Sequence, residues 1–317
     1  MTSFPNLDEF HDTINLGVAY MTAVIAGDPV IAKKALFAVA ANGHIILEAA
    51  PGAGKTFFAA RLAELFGVSA NRIQGTPDLL PGDVTGSMLP DMETRNLSFH
   101  PGPVFCDILL FDELNRTTPK TQSALLECVE EKQVSVDGKA FELPDTFTVI
   151  ATQNPKSIAG TYSLSEGVSD RFMISITPDY LSVADEAAVL TGEKGRQNTA
   201  LKMSNLSPNS IRELRASIAA VKVSTASATY ASHLLHHTRQ NPEVRLGAST
   251  RAGVGMIQLA KANAAYSKRN FVTPDDIQAV AVNALQHRIF FADDRVAVTA
   301  GAQVVEEALA TCPVPLS

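Results

Sequence analysis

The chain has 317 residues, with 26 Lys plus Arg against 33 Asp plus Glu and a formal net charge of −7. At roughly 150 residues per domain this length predicts about two domains, and 46% hydrophobic with 19% charged residues excludes wholesale disorder. The acidic balance, with 5 Tyr, 15 Phe and no Trp, argues against a nucleic-acid binder, which needs a basic face and stacking platforms.

The first half alternates helical patterns with short β-branched runs. A helix is predicted over 29–42 and a strand over 44–48. A helix over 55–66 and a strand over 71–74 follow. Residues 81–103 are rich in Gly and Pro and read as irregular. A strand over 108–112 then leads into a helix over 119–132. Residues 133–143 read as a two-strand excursion turning at Asp137-Gly138. Strands over 147–152 and 172–176 complete the set. The strands show little alternation, as expected when both faces are covered, so the pattern predicts an α/β fold with a parallel sheet between helices.

After Pro178 the character changes, and from Ser207 onward the pattern predicts helices only, over 209–221, 226–239, 250–270, 275–288 and 299–310. Ser207-Pro208 and Thr273-Pro274 are helix starts with Pro at the first helical position. The expected division is a nucleotide-binding domain over 1–180, a linker over 181–206 and a helical domain over 207–317. Cys106, Cys128 and Cys312 form no CxxC pair and read as reduced thiols of a cytoplasmic protein. No signal-peptide pattern opens the chain, and no apolar run reaches the ~18 residues of a membrane span. His233, His236 and His237 cluster on a predicted helix, but no acid stands at metal-ligand spacing beside them.

The strongest local signal is Ala49-Ala50-Pro51-Gly52-Ala53-Gly54-Lys55-Thr56, between a predicted strand and a predicted helix. That context is what a phosphate-binding loop requires. Backbone N–H groups from Gly52, Ala53 and Gly54, in the nucleotide-binding loop that Pro51 opens, would cradle the phosphates at a helix N-terminus. Lys55 would reach the β and γ phosphates, and the Thr56 hydroxyl would coordinate Mg²⁺. The pattern's first Gly is Ala49 here. The apolar run Ile108-Leu109-Leu110-Phe111 ends in Asp112-Glu113. It fits a buried strand whose two carboxylates emerge where open α/β sheets bind ligands. Asp112 would hold Mg²⁺ and Glu113 would polarise the attacking water. Asn154, after the strand over 147–152, would position that water.

The order of these features, with the run DELNRTTPKTQSALLE from Asp112 to Glu127, resembles the AAA+ ATPases and within them the MoxR family. VIATQNP at 149–155, GTY at 160–162 and SDRF at 169–172 carry the same resemblance. So do GHIILE at 43–48, HPGPVF at 100–105 and GASTRA at 247–252. It covers roughly residues 20–290. It implies an αβα sandwich of the AAA+ P-loop type followed by an all-α lid, and Mg²⁺-dependent hydrolysis of ATP. It implies Lys55 and Thr56 as Walker A residues, Asp112 and Glu113 as Walker B residues and Asn154 as sensor 1. Arg171 is implied as an arginine finger reaching a neighbouring subunit, and Arg251 as the sensor 2 arginine. Arg116 matches the motif and is expected at the subunit interface. Residues 84–99 and 133–143 match two insertions, without a conspicuous aromatic pore loop. The family often has Pro where Thr250 stands. The resemblance further implies a homo-hexameric ring, a von Willebrand A-domain partner and client protein complexes, with metal or cofactor insertion among the roles. A DNA-directed AAA+ motor and a nucleotide-binding module with little turnover are the alternatives. The acidic charge opposes the first, and the intact Lys55, Asp112, Glu113 and Asn154 oppose the second.

Overall fold

The computed structural model describes residues 6–24, 28–48, 55–90, 96–153, 162, 164–178, 182–191, 206–292 and 297–315. Helices α1 (Leu7–Val24) and α2 (Pro29–Ala40) precede strand β1 (Ile45–Glu48), and α3 (Lys55–Phe66) leads to β2 (Ala70–Gln74). A short helix α4 (Pro81–Thr85) and strands β3 (Gly86–Pro90) and β4 (Leu97–Pro101) come next. Then follow β5 (Ile108–Asp112), α5 (Pro119–Glu131), β6 (Gln133–Val136), β7 (Lys139–Glu142) and β8 (Thr148–Gln153). Helix α6 (Glu166–Ser169), β9 (Ile174–Ile176) and α7 (Val183–Leu190) end the first part. The second part holds α8 (Pro208–Ala220), α9 (Thr225–Gln240), β10 (Val244–Leu246), α10 (Thr250–Tyr266), α11 (Pro274–Leu285), β11 (Phe290–Phe291) and α12 (Ala297–Thr311).

The five apolar runs become one parallel sheet in the order β2-β5-β8-β1-β9. Each central strand is apolar on both faces, which is why the sequence shows no alternation. Ile45, Leu47, Ile108, Leu110 and Ile150 face one core with α1, α2 and α3. Ile46, Leu109, Phe111, Val149 and Ala151 face a second core with Leu125, Cys128 and Val129 of α5. The first core runs without a break into α8–α12, so the helical part packs on the sheet's flank. Strand β8 lies between β1 and β5. Two strand spacings therefore separate the tip of β1 from that of β5, about 10 Å.

The structure departs from the pattern reading in several places. Helix α1 was not foreseen, although Leu7, Phe10, Ile14, Val18 and Met21 follow helical spacing and pack into the first core. Within the stretch over 81–103 the described residues form α4 and the antiparallel pair β3–β4, where Met88 stands opposite Phe99. The second part is not helical throughout. Strands β10 and β11 pair antiparallel, and at three and two residues they are too short to leave a periodic signal. The stretch read as a linker contains α7. The β6–β7 turn follows its sequence signal, since Asp137 and Gly138 both take positive φ, 50° and 74°. Phe141 on β7 stacks on Phe99 of β4, with ring centroids 3.9 Å apart. The two insertions are thereby joined through their aromatic residues.

Two buried histidines tie the sheet to its surroundings. The His44 Nδ1 accepts from the Val149 N–H at 2.9 Å, so Nε2 carries the proton and donates to the Val129 carbonyl at 3.1 Å. His287 Nε2 pairs with the Phe172 carbonyl at 2.8 Å. Burial pushes His44 down to about 4, and burial with the neighbouring Arg288 charge pushes His287 down to about 3. Both rings are neutral in the folded chain, whereas in the unfolded chain they titrate near 6.5. Between about pH 6.5 and 4 the unfolded chain binds more protons, so stability falls as pH falls through that window. Thermal melts across this range are expected to show a steadily dropping midpoint. A midpoint that stays level would contradict the buried neutral rings.

Candidate functional site

The two acidic candidates emerge together at the carboxyl edge of the sheet. All five residues of β5 are buried, ending in Asp112. Its Oδ1 accepts from the Thr152 hydroxyl at 2.6 Å, and its Oδ2 pairs with Arg72 Nη2 at 2.8 Å. Glu113 follows in left-handed conformation, φ 56° and ψ 50°. A non-glycine residue there carries strain of about 1–3 kcal/mol and persists only when its surroundings hold it. The holding groups are clear. The Glu113 N–H donates to Thr152 Oγ1 at 2.8 Å. Gln74 Nε2 and Arg116 Nη1 both donate to Glu113 Oε2 at 3.0 Å. The Gly75 N–H donates to the Asp112 carbonyl at 2.7 Å, and a Cβ on Gly75 would collide with the Glu113 carbonyl. One buried threonine hydroxyl thus links both acidic residues, donating to one and accepting from the other.

The phosphate-loop candidates Pro51, Gly52, Ala53 and Gly54 lie outside the described residues, as does Asn154. Lys55 and Thr56 open α3. Asn154 directly follows β8, the strand between β1 and β5.

The two basic candidates meet elsewhere. Helix α5 starts with Thr118 as its cap and Pro119 in the first turn. It runs back along the sheet, so Val129 reaches His44, the residue before β1. The Met173 N–H donates to the His44 carbonyl at 2.9 Å, which brings the start of β9 to the same edge. Glu130 and Arg171 therefore stand at the amino edge. Arg171 donates from Nε and Nη2 to Glu130 Oε2 at 2.7 and 2.6 Å, and from Nη1 to the Gly167 carbonyl at 2.7 Å. Arg251 Nη2 pairs with the other oxygen of the same Glu130 carboxylate. These bonds, led by that from Arg251, hold the Glu130 carboxyl below the usual carboxylate range. The local pairing of Asp170 with Arg171 does not form. Asp170 instead accepts from the Ser249 hydroxyl at 2.6 Å and faces Arg288. From Ile108 to Asp112, β5 spans about 13 Å at ~3.3 Å per residue, so that depth of sheet parts Arg171 from Asp112.

Pattern reading missed Arg72, Gln74, Thr152 and Glu130. Thr152 and Glu130 lie within or just past the quoted motifs and carry a local signal. Arg72 and Gln74 lie on β2, where only strand pairing brings them to Asp112 and Glu113. Among the described residues, no group of three or more His, Cys, Asp and Glu side chains is placed to hold a metal ion. No helix among them is long and apolar enough to cross a membrane.

Residues 44–174 match the family described as ATPase family associated with various cellular activities (AAA), and residues 236–308 match the AAA lid domain. Fold and site together define an ATPase of the AAA class with a lid. YeaC of Bacillus subtilis is 39% identical over 286 residues, covering 89% of this chain and 88% of that protein. Chaperone MoxR1 of Mycobacterium tuberculosis is 32% identical over 294 residues, covering 90% of this chain and 78% of that one. A crystal structure from Cytophaga hutchinsonii, described as an inferred ATPase, has a TM-score of 0.83 at 33% identity and covers 98% of this chain and 97% of its own. The chain belongs to the MoxR-type AAA+ ATPases, and its reaction is the hydrolysis of ATP.

Proposed function

We propose that this ATPase works as a homo-hexameric ring in which each nucleotide lies between two subunits, and that the ring remodels or matures partner protein complexes in the cytoplasm. The observation that supports the shared site is the gap between the two edges. Asp112 and Glu113 stand at the carboxyl edge, Arg171 and Arg251 at the amino edge. One chain's arginines are poorly placed for its own nucleotide and well placed for a neighbour's. The backbone over Pro51–Gly54 and the Lys55 ammonium bind the phosphates. Glu113 takes the proton of the attacking water, and Asn154 orients that water. Arg171 and Arg251 of the adjoining subunit meet the charge that grows on the γ phosphate.

The donor set fits magnesium, a hard cation that takes oxygen ligands. The Asp112 carboxylate and the Thr56 hydroxyl would hold it, and it would neutralise phosphate charge. Arg72 pairs with Asp112 at 2.8 Å. A von Willebrand A-domain protein as the adaptor and metal or cofactor insertion as the outcome rest on the family resemblance. MoxR1 is named a chaperone, which fits the remodelling role. The shared site predicts that ATPase activity per chain rises with protein concentration and levels off once rings form. Steady-state phosphate release across a dilution series, beside sedimentation of the same samples with ATP, checks this. Full activity in samples that sediment as monomer would overturn it.

A further inference from the structure

We propose that Glu130 is a positioning residue that holds Arg171 and Arg251 as one preset pair, arranged to receive a single anion from the next subunit. The proposal rests on the reading that these arginines serve a neighbour's γ phosphate. The geometry around Glu130 carries it. Arg171 precedes β9 and Arg251 stands on α10, far apart in sequence, yet each donates to a different oxygen of one carboxylate. Each of the three nitrogens of Arg171 has a partner, Nε and Nη2 on Glu130 and Nη1 on the Gly167 carbonyl, and each Nη has a second N–H. Its fork is therefore fixed in direction.

A second set of contacts holds the two arginines in register. Ser249 caps α10, the helix on which Arg251 stands, and its hydroxyl donates to Asp170 Oδ1 at 2.6 Å. Arg288, 3% exposed, donates from Nη2 to the Asp170 carbonyl at 2.9 Å. The backbone beside Arg171 is thus tied to the helix start beside Arg251. Within this frame the side chains of Arg171, Glu130 and Arg251 remain 25%, 37% and 46% exposed. A neighbour's phosphate can reach them, and its oxygens accept charge-assisted bonds from guanidinium groups as a carboxylate does.

Two free guanidiniums this close would repel, and each would regain its many rotamers. Arg carries large side-chain entropy, and ordering it only when the nucleotide arrives would lower the productive fraction. Glu130 removes that cost by ordering both in advance. Its own bonds are exposed ion pairs that contribute little to folding. Its loss is therefore expected in turnover and not in stability.

The test compares the full-length chain with Glu130→Ala, Glu130→Gln, Arg171→Ala and the Glu130→Ala/Arg171→Ala double variant. Rates are taken at protein concentrations where activity per chain has levelled off. Glu130→Ala is expected to lower kcat roughly tenfold, with KM for ATP and thermal midpoint unchanged. Glu130→Gln retains one acceptor oxygen and is expected to fall between. In the double variant the loss of Glu130 is expected to add less than its full tenfold effect, because only Arg251 is left for it to hold. If Arg171→Ala is slow while Glu130→Ala or Glu130→Gln turns over at the wild-type rate or faster, the positioning role is wrong. Fully multiplying effects in the double variant would also overturn it. If Arg171→Ala itself keeps wild-type activity, the underlying reading of a shared site is what fails.

Discussion

Glu113→Gln is expected to bind ATP normally and to hydrolyse it slower by roughly two to four orders of magnitude. The substitution changes basicity and little else. Glu113 Oε2 accepts from Gln74 Nε2 and Arg116 Nη1, and a glutamine carbonyl oxygen accepts from both in the same place. The strained backbone is held through the Glu113 N–H on Thr152, which the change does not touch. Fold and strand tip are therefore preserved. What is lost is the carboxylate that takes a proton from water. Lys55→Ala provides the contrast, because it removes the cation that pairs with the β and γ phosphates and is expected to abolish binding itself. Titration with a fluorescent ATP analogue and single-turnover phosphate release separate the two. Equal hydrolysis by wild type and Glu113→Gln would remove Glu113 from the chemistry.

Arg171→Ala is expected to retain ATP binding and to lose about three orders of magnitude in turnover, the scale of an arginine that meets phosphoryl charge. The guanidinium stays charged at any working pH and presents several donors in one plane. As an exposed ion pair with Glu130 alone it would be worth at most ~1 kcal/mol of stability and would be irrelevant to rate. Mixing distinguishes the two accounts. Arg171→Ala retains its phosphate loop, and Lys55→Ala retains its arginine. Mixed rings contain interfaces with both groups intact, so part of the activity is expected to return. A mixture as inactive as its components, under conditions where mixed rings are shown to form, would place Arg171 outside the shared site.

Sequence alone determined the five strands of the central sheet, most of the long helices and where the acidic pair stands. The apolar run ending in Asp112-Glu113 can be buried only as a central strand, and its polarity changes abruptly at the strand tip. Pro and Ser or Thr at the helix starts mark α5, α8 and α11 by chemistry that needs no distant partner. The long motif after Asp112 carried the family for the same reason, since its residues are contiguous.

What the sequence left open involves residues far apart in the chain. Arg72 meets Asp112 because β2 pairs with β5 in register. Asp276 reads as a first-turn acid of α11, but the fold buries it against both nitrogens of the Arg269 fork. Helix α1 packs on α2 and α3, and the helical part returns to the sheet's flank and presents α10 to it as well. The meeting of Arg171, Arg251 and Glu130 is the clearest case. Each residue lies on a different element, and a salt bridge imposes no periodicity on the sequences that form it. Only the packing of α5 and α10 at the amino edge brings the two guanidiniums to one carboxylate.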